Sequence, residues 1–217
     1  MNSELLNVAM ATFVTFFVLI DSIGVAPVFV SLTSPGGPAY ARRMAIRSVI
    51  VAAIIITGFA FGGAWLLDSL HISIDAFRAA GGALLFLIAL DMVFEKRQER
   101  RESRAEEYQA EHEAAQDVSV FPIGIPMLAG PGSIATAMLY MQNAKGNLIE
   151  QTVVIGAIWT NLALCLIVFL LAAPLMRLLG DAVAGAITRI FGVILAALSV
   201  QLLIDGIKGA FGIAVGA

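Results

Sequence analysis

Phe17-Val18-Leu19-Ile20-Asp21-Ser22-Ile23-Gly24-Val25-Ala26-Pro27-Val28-Phe29 sets one carboxylate in the middle of an apolar run. Leu5 to Ile20, 16 residues without a charge, lead up to Asp21. With its continuation to Leu32 the run exceeds the roughly 20 residues that a helix needs to cross a bilayer core. An ionised carboxylate at that depth is expensive and requires a partner, a polar cavity or a proton. Gly24 loosens the turn that follows, and Pro27 lacks an N–H and obstructs a carbonyl one turn back. The helix is therefore predicted to break between Asp21 and Pro27. Backbone groups freed there must face protein or a cavity, because lipid offers them no hydrogen bonds. The architectural reading makes Asp21 an N-cap of the second half-helix. It is compatible with function, since capped half-helix ends are what midplane binding sites are built from.

The rest of the chain has the same character. Hydrophobic residues make up 59% of the 217 and charged residues 13%, with a mean hydropathy of +0.91. Ser48–Leu67, Val118–Ala144 and Gln151–Met176 each lack a charged residue. A soluble domain needs more polar surface than this. Six spans are predicted, at Leu5–Leu32, Met44–Leu67, Ile74–Phe94, Ser119–Gln142, Gln151–Met176 and Ala184–Ile207. The first reads as a retained membrane helix, without the basic start and small-residue cleavage site of a secretory signal. Ser34-Pro35-Gly36-Gly37-Pro38 and Asn143-Ala144-Lys145-Gly146-Asn147 are turn signals.

The sizeable polar segment, Glu95–Asp117, holds five of the 13 basic and eight of the 16 acidic residues and no Gly or Pro. It reads as a solvated helix or linker. It divides the chain into a first three-helix repeat (1–94), a charged cytoplasmic loop (95–118) and a second three-helix repeat (119–217). Ten of the 13 Lys and Arg residues fall on the side of the central loop. The positive-inside rule then puts that loop in the cytoplasm and both termini outside.

The two halves resemble each other. Phe77-Arg78-Ala79-Ala80-Gly81-Gly82 matches Thr188-Arg189-Ile190-Phe191-Gly192, and the break at Asp21 matches Ala129-Gly130-Pro131-Gly132-Ser133, at offsets of 109 to 111 residues. Three spans per copy turn the second copy upside down, which gives the inverted repeat of many secondary transporters. Pro122-Ile123-Gly124-Ile125-Pro126, followed by Gly130-Pro131-Gly132, is too dense in Pro and Gly for a continuous helix. An unwound or re-entrant segment is expected, with Ser133 and Thr136 on the first turn of a new half-helix. Its N–H groups would face an anion such as a substrate carboxylate. Candidate substrate-binding residues are Asp21, Ser22, Gly24, Pro27, Gly130, Pro131, Gly132, Ser133 and Thr136.

Arg78 and Arg189 read as interfacial snorkelling residues or gates, and Gln201 as a helix contact or cavity residue. Asp91 and Asp205 read as anchors or caps near the interfaces. Gly58 and Gly62 form a G-x-x-x-G helix-contact pattern. The single Cys165 reads as packing. His71 and His112 lie in predicted loops, so no metal or cofactor is expected, and no hydrolytic triad. Neither a P-loop nor a dinucleotide fingerprint is present. Asp21 has no evident deep acidic partner for an intramembrane aspartyl site. The chain is not expected to be an enzyme or to bind nucleic acid. Its expected partners are a small-molecule substrate, the lipid bilayer and a second copy of itself.

Four motifs together resemble the MarC (UPF0056-type) family of bacterial inner-membrane proteins. They are Asp21–Phe29, Ile72-Ser73-Ile74 running into Phe77–Gly82, Pro126–Gly132, and Arg189–Gly192 with Gln201 and Asp205-Gly206. Ser22 stands where many members have Pro. The family is similar to the LysE-type exporters, and some relatives are described as transporters of small neutral amino acids. The resemblance implies a multi-pass membrane transporter. From the residues, the expectation is an all-α protein that carries a small zwitterionic solute, with Asp21 as the proton-coupling group. The rivals are an exporter of another small solute and a non-transporting accessory protein.

Overall fold

A computed structural model describes residues 3–111 and 117–213; His112 lies outside them. The described residues are helical apart from short connections, without strands. The helices are α1 (Ser3–Ile20), α2 (Ser22–Thr33), α3 (Gly37–Ser69), α4 (Ile74–Val93), α5 (Lys96–Glu111), α6 (Pro131–Asn143), α7 (Leu148–Leu170) and α8 (Ala172–Phe211). Leu5–Ser69, Ile74–Val93, Leu148–Leu170 and Ala182–Phe211 are long and apolar enough to cross a membrane. The segment Ser119–Leu128 with α6, bent by 58°, forms a further span of that kind when taken as one unit.

Local chemistry sets the boundaries. Asp21 separates α1 from α2 in a left-handed conformation, φ 50° and ψ 53°, which Asp tolerates better than most residues. Its carboxylate caps α2 by accepting from the Gly24 N–H at 3.2 Å. The break is thus one residue wide. Pro27 lies inside α2, which continues through it, contrary to the expected break reaching Pro27. With Asp21 already supplying the bend, Pro27 removes a single intrahelical bond and the surrounding packing holds the helix together.

Ser119–Leu128 departs from regular helix as the Pro and Gly density requires. Phe121 and Ile125 are extended, each precedes a cis proline, and the Ala129 N–H reaches back five residues to the Gly124 carbonyl. α6 starts at Pro131, where the missing N–H costs nothing. Ser73 caps α4 and Asn147 caps α7. Gly180, at φ 72°, breaks α8 before its spanning part.

α1 packs on α7, α3 packs on α6 and on the 119–128 segment, and α4 lies along α8. Close approach along α4–α8 is made by glycines. A Cβ on Gly82 would meet the Leu203 N and Ser199 O backbone atoms at 2.6 and 2.8 Å, and one on Gly206 would meet the Ala79 N at 2.4 Å. Gly58 and Gly62 have open space above them. The expected G-x-x-x-G contact is therefore not made within the chain, and Gly63, against Met138, is the glycine of α3 at a helix contact.

The core runs through Phe16, Phe29, Met44, Ile56, Ile123 and Ile158, all fully buried; Phe29 and Phe169 stack at 4.3 Å. Cys165 is buried among them, as packing requires. Trp65, Ile54, Leu87, Trp159, Ile190 and Val193 are outward-facing, the surface that hydrocarbon solvates and water does not.

Candidate functional site

Of the two readings of the charged segment, the solvated helix is the one found over Lys96–Glu111, most of it exposed, and one face of it is docked. α5 packs against α2 and α4, because its charges are sorted by helical period. Arg97, Arg100, Arg101 and Arg104 follow i, i+3, i+4, i+7 spacing and share one face; Glu95 at the helix start, Gln98, Glu99 and Glu102 share the opposite one.

Arg101 enters the bundle and donates through Nη1 to Asp21 Oδ2 at 2.9 Å, with side-chain exposures of 5% and 0%. The Thr188 hydroxyl, from α8, reaches both carboxylate oxygens at 3.1 and 3.3 Å. Asp21 thus has a deep partner of opposite charge, which the sequence did not suggest. The partner is what makes a carboxylate tenable at this depth. The pair comes from residues 80 apart. Arg97 Nη2 takes the Leu19 carbonyl at 2.8 Å. The break had deprived that carbonyl of its intrahelical N–H. Burial, and then repulsion from Arg101, pull the Arg97 pKa below the ordinary arginine range.

The arginine face of α5 opens on a cavity of about 200 Å³, walled by Leu19, Asp91 and Gly130–Ser133 at the start of α6. Leu19, beside the first break, and Gly130–Ser133, at the second, line this one cavity, and a Cβ on Gly132 would meet the Leu19 side chain at 3.3 Å. No side chain caps α6, because its N-cap residue is Gly130, and the Ser133 hydroxyl donates to the Leu128 carbonyl at 2.9 Å. Gly132 and Ser133 are buried and Pro131 is exposed. The Thr136 hydroxyl is buried without a partner. The glutamate face looks onto a second cavity, about 320 Å³, lined by Gly24, Pro27 and Thr188. Ser22 is buried in the first turn of α2.

Other candidates lie elsewhere. Arg78 pairs with Asp75 at 3.0 Å and donates to the Asn143 side chain at 2.8 Å. Arg189 pairs with Glu95, which fastens the start of α5 to α8. Asp91 pairs with Arg100, and exposed Gln201 bonds Asp205 one turn on. A polar seam crosses α1, α6 and α7. Thr15 and the Tyr140 hydroxyl are 3.0 Å apart, and the Asn161 amide donates to the Phe13 carbonyl. The Thr12 hydroxyl is buried without a partner. Among the described residues no cluster of His, Cys, Asp and Glu has the arrangement of a metal site.

Sequence reasoning missed Arg97, Arg101 and Thr188. The heptad stripe of arginines carried the signal for the first two. Thr188 directly precedes the repeat-matching Arg189 but had no distinguishing neighbour.

The family model for MarC integral membrane proteins matches residues 6–211. A UPF0056 membrane protein of Methanocaldococcus jannaschii is 36% identical over 201 residues, covering 91% of this chain and 95% of that protein. YhcE, a UPF0056 membrane protein of Escherichia coli K12, is 32% identical over 203 residues, 92% of this chain and 91% of its own. YvbG, the Bacillus subtilis counterpart, is 33% identical over 199 residues, 92% and 93%. No solved structure matches. Long apolar helices, a broken first helix and a match across nearly the whole sequence agree: the chain belongs to the MarC family of integral membrane proteins.

Proposed function

We propose that the protein is a secondary transporter of a small zwitterionic solute, most simply a neutral amino acid. The observation that carries this reading is the buried Asp21–Arg101 pair, set at a helix break and adjoining the cavity at the start of α6. A structural ion pair gains little stability over an apolar pair of similar volume. A broken helix with an uncapped half-helix start beside it is, in contrast, the plan of a solute site. The solute's carboxylate would take the N–H groups at Gly132 and Ser133. Its ammonium would take Asp21, displacing Arg101 and with it α5.

Six spans and an inverted repeat belong to this proposal. Leu5–Ser69 is 65 residues, or nearly 100 Å as one helix at 1.5 Å per residue, and counts as two crossings. The pattern of contacts supports the repeat: α1, from the first half, packs on α7, and the 119–128 segment, its counterpart about 110 residues on, packs on α3. α4 and α8 are counterparts of each other. Gly82 meets Ser199 and Leu203, while Gly192 meets Ala89 and Met92, as two copies related by a two-fold axis would. With the central segment cytoplasmic and the termini outside, α5 closes the site from the cytoplasm. Proton coupling would run through the same pair, since protonating Asp21 removes the charge that holds Arg101. The buried, unpartnered Thr12 and Thr136 hydroxyls would line the other half of the path.

Thermal unfolding of the detergent-purified protein across a panel of amino acids at two pH values tests this reading, because a ligand that binds only the folded state raises the midpoint by mass action. A rise with small neutral amino acids, lost in Ser133→Ala and Asp21→Asn, is expected. A flat panel on folded protein would redirect the reading to an exporter of another solute or to an accessory role.

A further inference from the structure

The cavity between α5 and α6 carries more positive charge than a zwitterion needs. Arg97, Arg100, Arg101 and Arg104 all line it. They face two carboxylates: Asp91, paired with Arg100, and Asp21, behind Arg101. Two positive charges remain in excess. Excess charge alone describes many solvated helices, but two further observations point to a ligand. Arg101 is 4% exposed, and its Nη2 is buried without a hydrogen-bond partner while its Nη1 holds Asp21. A buried guanidinium N–H left unpaired is costly. Opposite it, the N-terminus of the 13-residue α6 has no side-chain cap, so its first N–H groups and the positive end of its dipole turn toward the same space.

We infer that this cavity binds a small phosphate-type oxyanion, held between the arginine face of α5 and the N-terminus of α6. The geometry favours a tetrahedral anion over a planar one. Donors arrive from two helices on different sides, and a tetrahedral oxyanion presents acceptor oxygens in all those directions, whereas a carboxylate presents two in one plane. Arg101 would satisfy Asp21 with one nitrogen and the anion with the other, which ties occupancy of the cavity to the pair that holds α5. The volume, about 200 Å³, suits an inorganic anion or a single headgroup phosphate. Those two sources share one chemistry. The site does not depend on the transport reading: a protein that answers to phosphate and to no amino acid would sink that reading and leave this one intact.

The test uses the full chain, purified and delipidated in a neutral maltoside detergent. Its unfolding midpoint is measured against inorganic phosphate at constant ionic strength, with chloride as the balancing anion. Arg104→Gln is the first variant, because Arg104 is exposed on α5 and its loss leaves the Asp21–Arg101 pair untouched. Arg97→Gln is the second. Phosphate is expected to raise the midpoint over the chloride control. Arg104→Gln should melt like the parent without phosphate and need about tenfold more of it for the same rise, the loss of one charge-assisted contact. A parallel arm places the protein in nanodiscs of phosphatidylcholine with or without phosphatidylglycerol. Stabilisation there alone, reduced by the same substitutions, would assign the site to a lipid headgroup phosphate. No arginine-dependent response in either arm, or a phosphate effect equal to that of chloride or unchanged in both variants, overturns the inference.

Discussion

Replacing Arg101 by Gln leaves the Asp21 carboxylate buried without its countercharge. The cost of breaking a buried pair by removing one partner is about 3–5 kcal/mol. The Asp21 side chain cannot turn out to solvent: its backbone is fixed in the α1–α2 break, it is fully buried, and the Gly24 N–H and the Thr188 hydroxyl are the hydrogen bonds that remain to it. Arg101→Gln therefore belongs at the upper end of that range. Asp21→Asn should cost less. Asn retains the N-cap oxygen and tolerates the left-handed conformation, and the freed Arg101 has an adjoining cavity to swing into. The double variant removes both charges and should recover most of the loss, giving a coupling energy of about 2–3 kcal/mol. At about 2–4 °C per kcal/mol for a chain of this size, Arg101→Gln should melt roughly 8–20 °C lower. The assay is intrinsic-fluorescence unfolding of all four proteins in one detergent at pH 7. Single variants within about 2 °C of the parent, or a double variant as unstable as the sum of the singles, would refute the claim that this pair fastens α5 to the bundle.

Gly206→Ala should destabilise by about 1–3 kcal/mol, because the new Cβ would sit 2.4 Å from the Ala79 backbone nitrogen; Gly58→Ala, with open space above it, should be neutral or gain up to about 1 kcal/mol from helix propensity. Thermal unfolding separates the two. Burial alone would raise the Asp117 carboxyl, but bonds from the Ser119 hydroxyl and N–H, with the Arg47 guanidinium, outweigh it and hold its pKa below the ordinary 3.8. A depressed pKa contributes stability that is complete above the ordinary value and is lost as pH falls through the folded one. Hydrogen-exchange protection factors, each taken against the intrinsic rate at the same pH, should therefore fall in acid at the end of α5 and the start of the 119–128 segment, and Asp117→Asn should remove that pH dependence. Arg189→Gln should raise protease sensitivity at the start of α5 by freeing Glu95, with little change in the global midpoint, since the pair is half exposed.

The apolar runs and their breaks were legible because they are local. Asp21 stands alone in 16 preceding uncharged residues, and Pro122, Pro126 and Pro131 cannot all sit in one helix. The predicted start of a new half-helix at Gly130–Ser133 agrees with α6. What the sequence concealed was long-range. Nothing local says that Arg101, 80 residues on, completes Asp21, and composition, which places most of α5 in solvent, does not show that Arg101 and Ala105 are buried. The i, i+3, i+4, i+7 stripe of arginines, opposite a stripe of glutamates, was the available sign that this helix has two faces with different tasks. The G-x-x-x-G at Gly58 and Gly62 failed for the converse reason. A short motif states that close packing is permitted, while the glycines that are used, Gly82, Gly192 and Gly206, are selected by the run of α4 along α8.

The most direct test of the central claim is counterflow in proteoliposomes. Vesicles holding the parent protein are loaded with an unlabelled small neutral amino acid, diluted into the radiolabelled form, and followed alongside Asp21→Asn, Ser133→Ala and protein-free vesicles. A transport site between the breaks predicts transient accumulation of label in the parent, diminished in Ser133→Ala and altered in its pH dependence in Asp21→Asn. Label that never exceeds the protein-free control for any small amino acid, from protein shown to be folded in the vesicles, would contradict it.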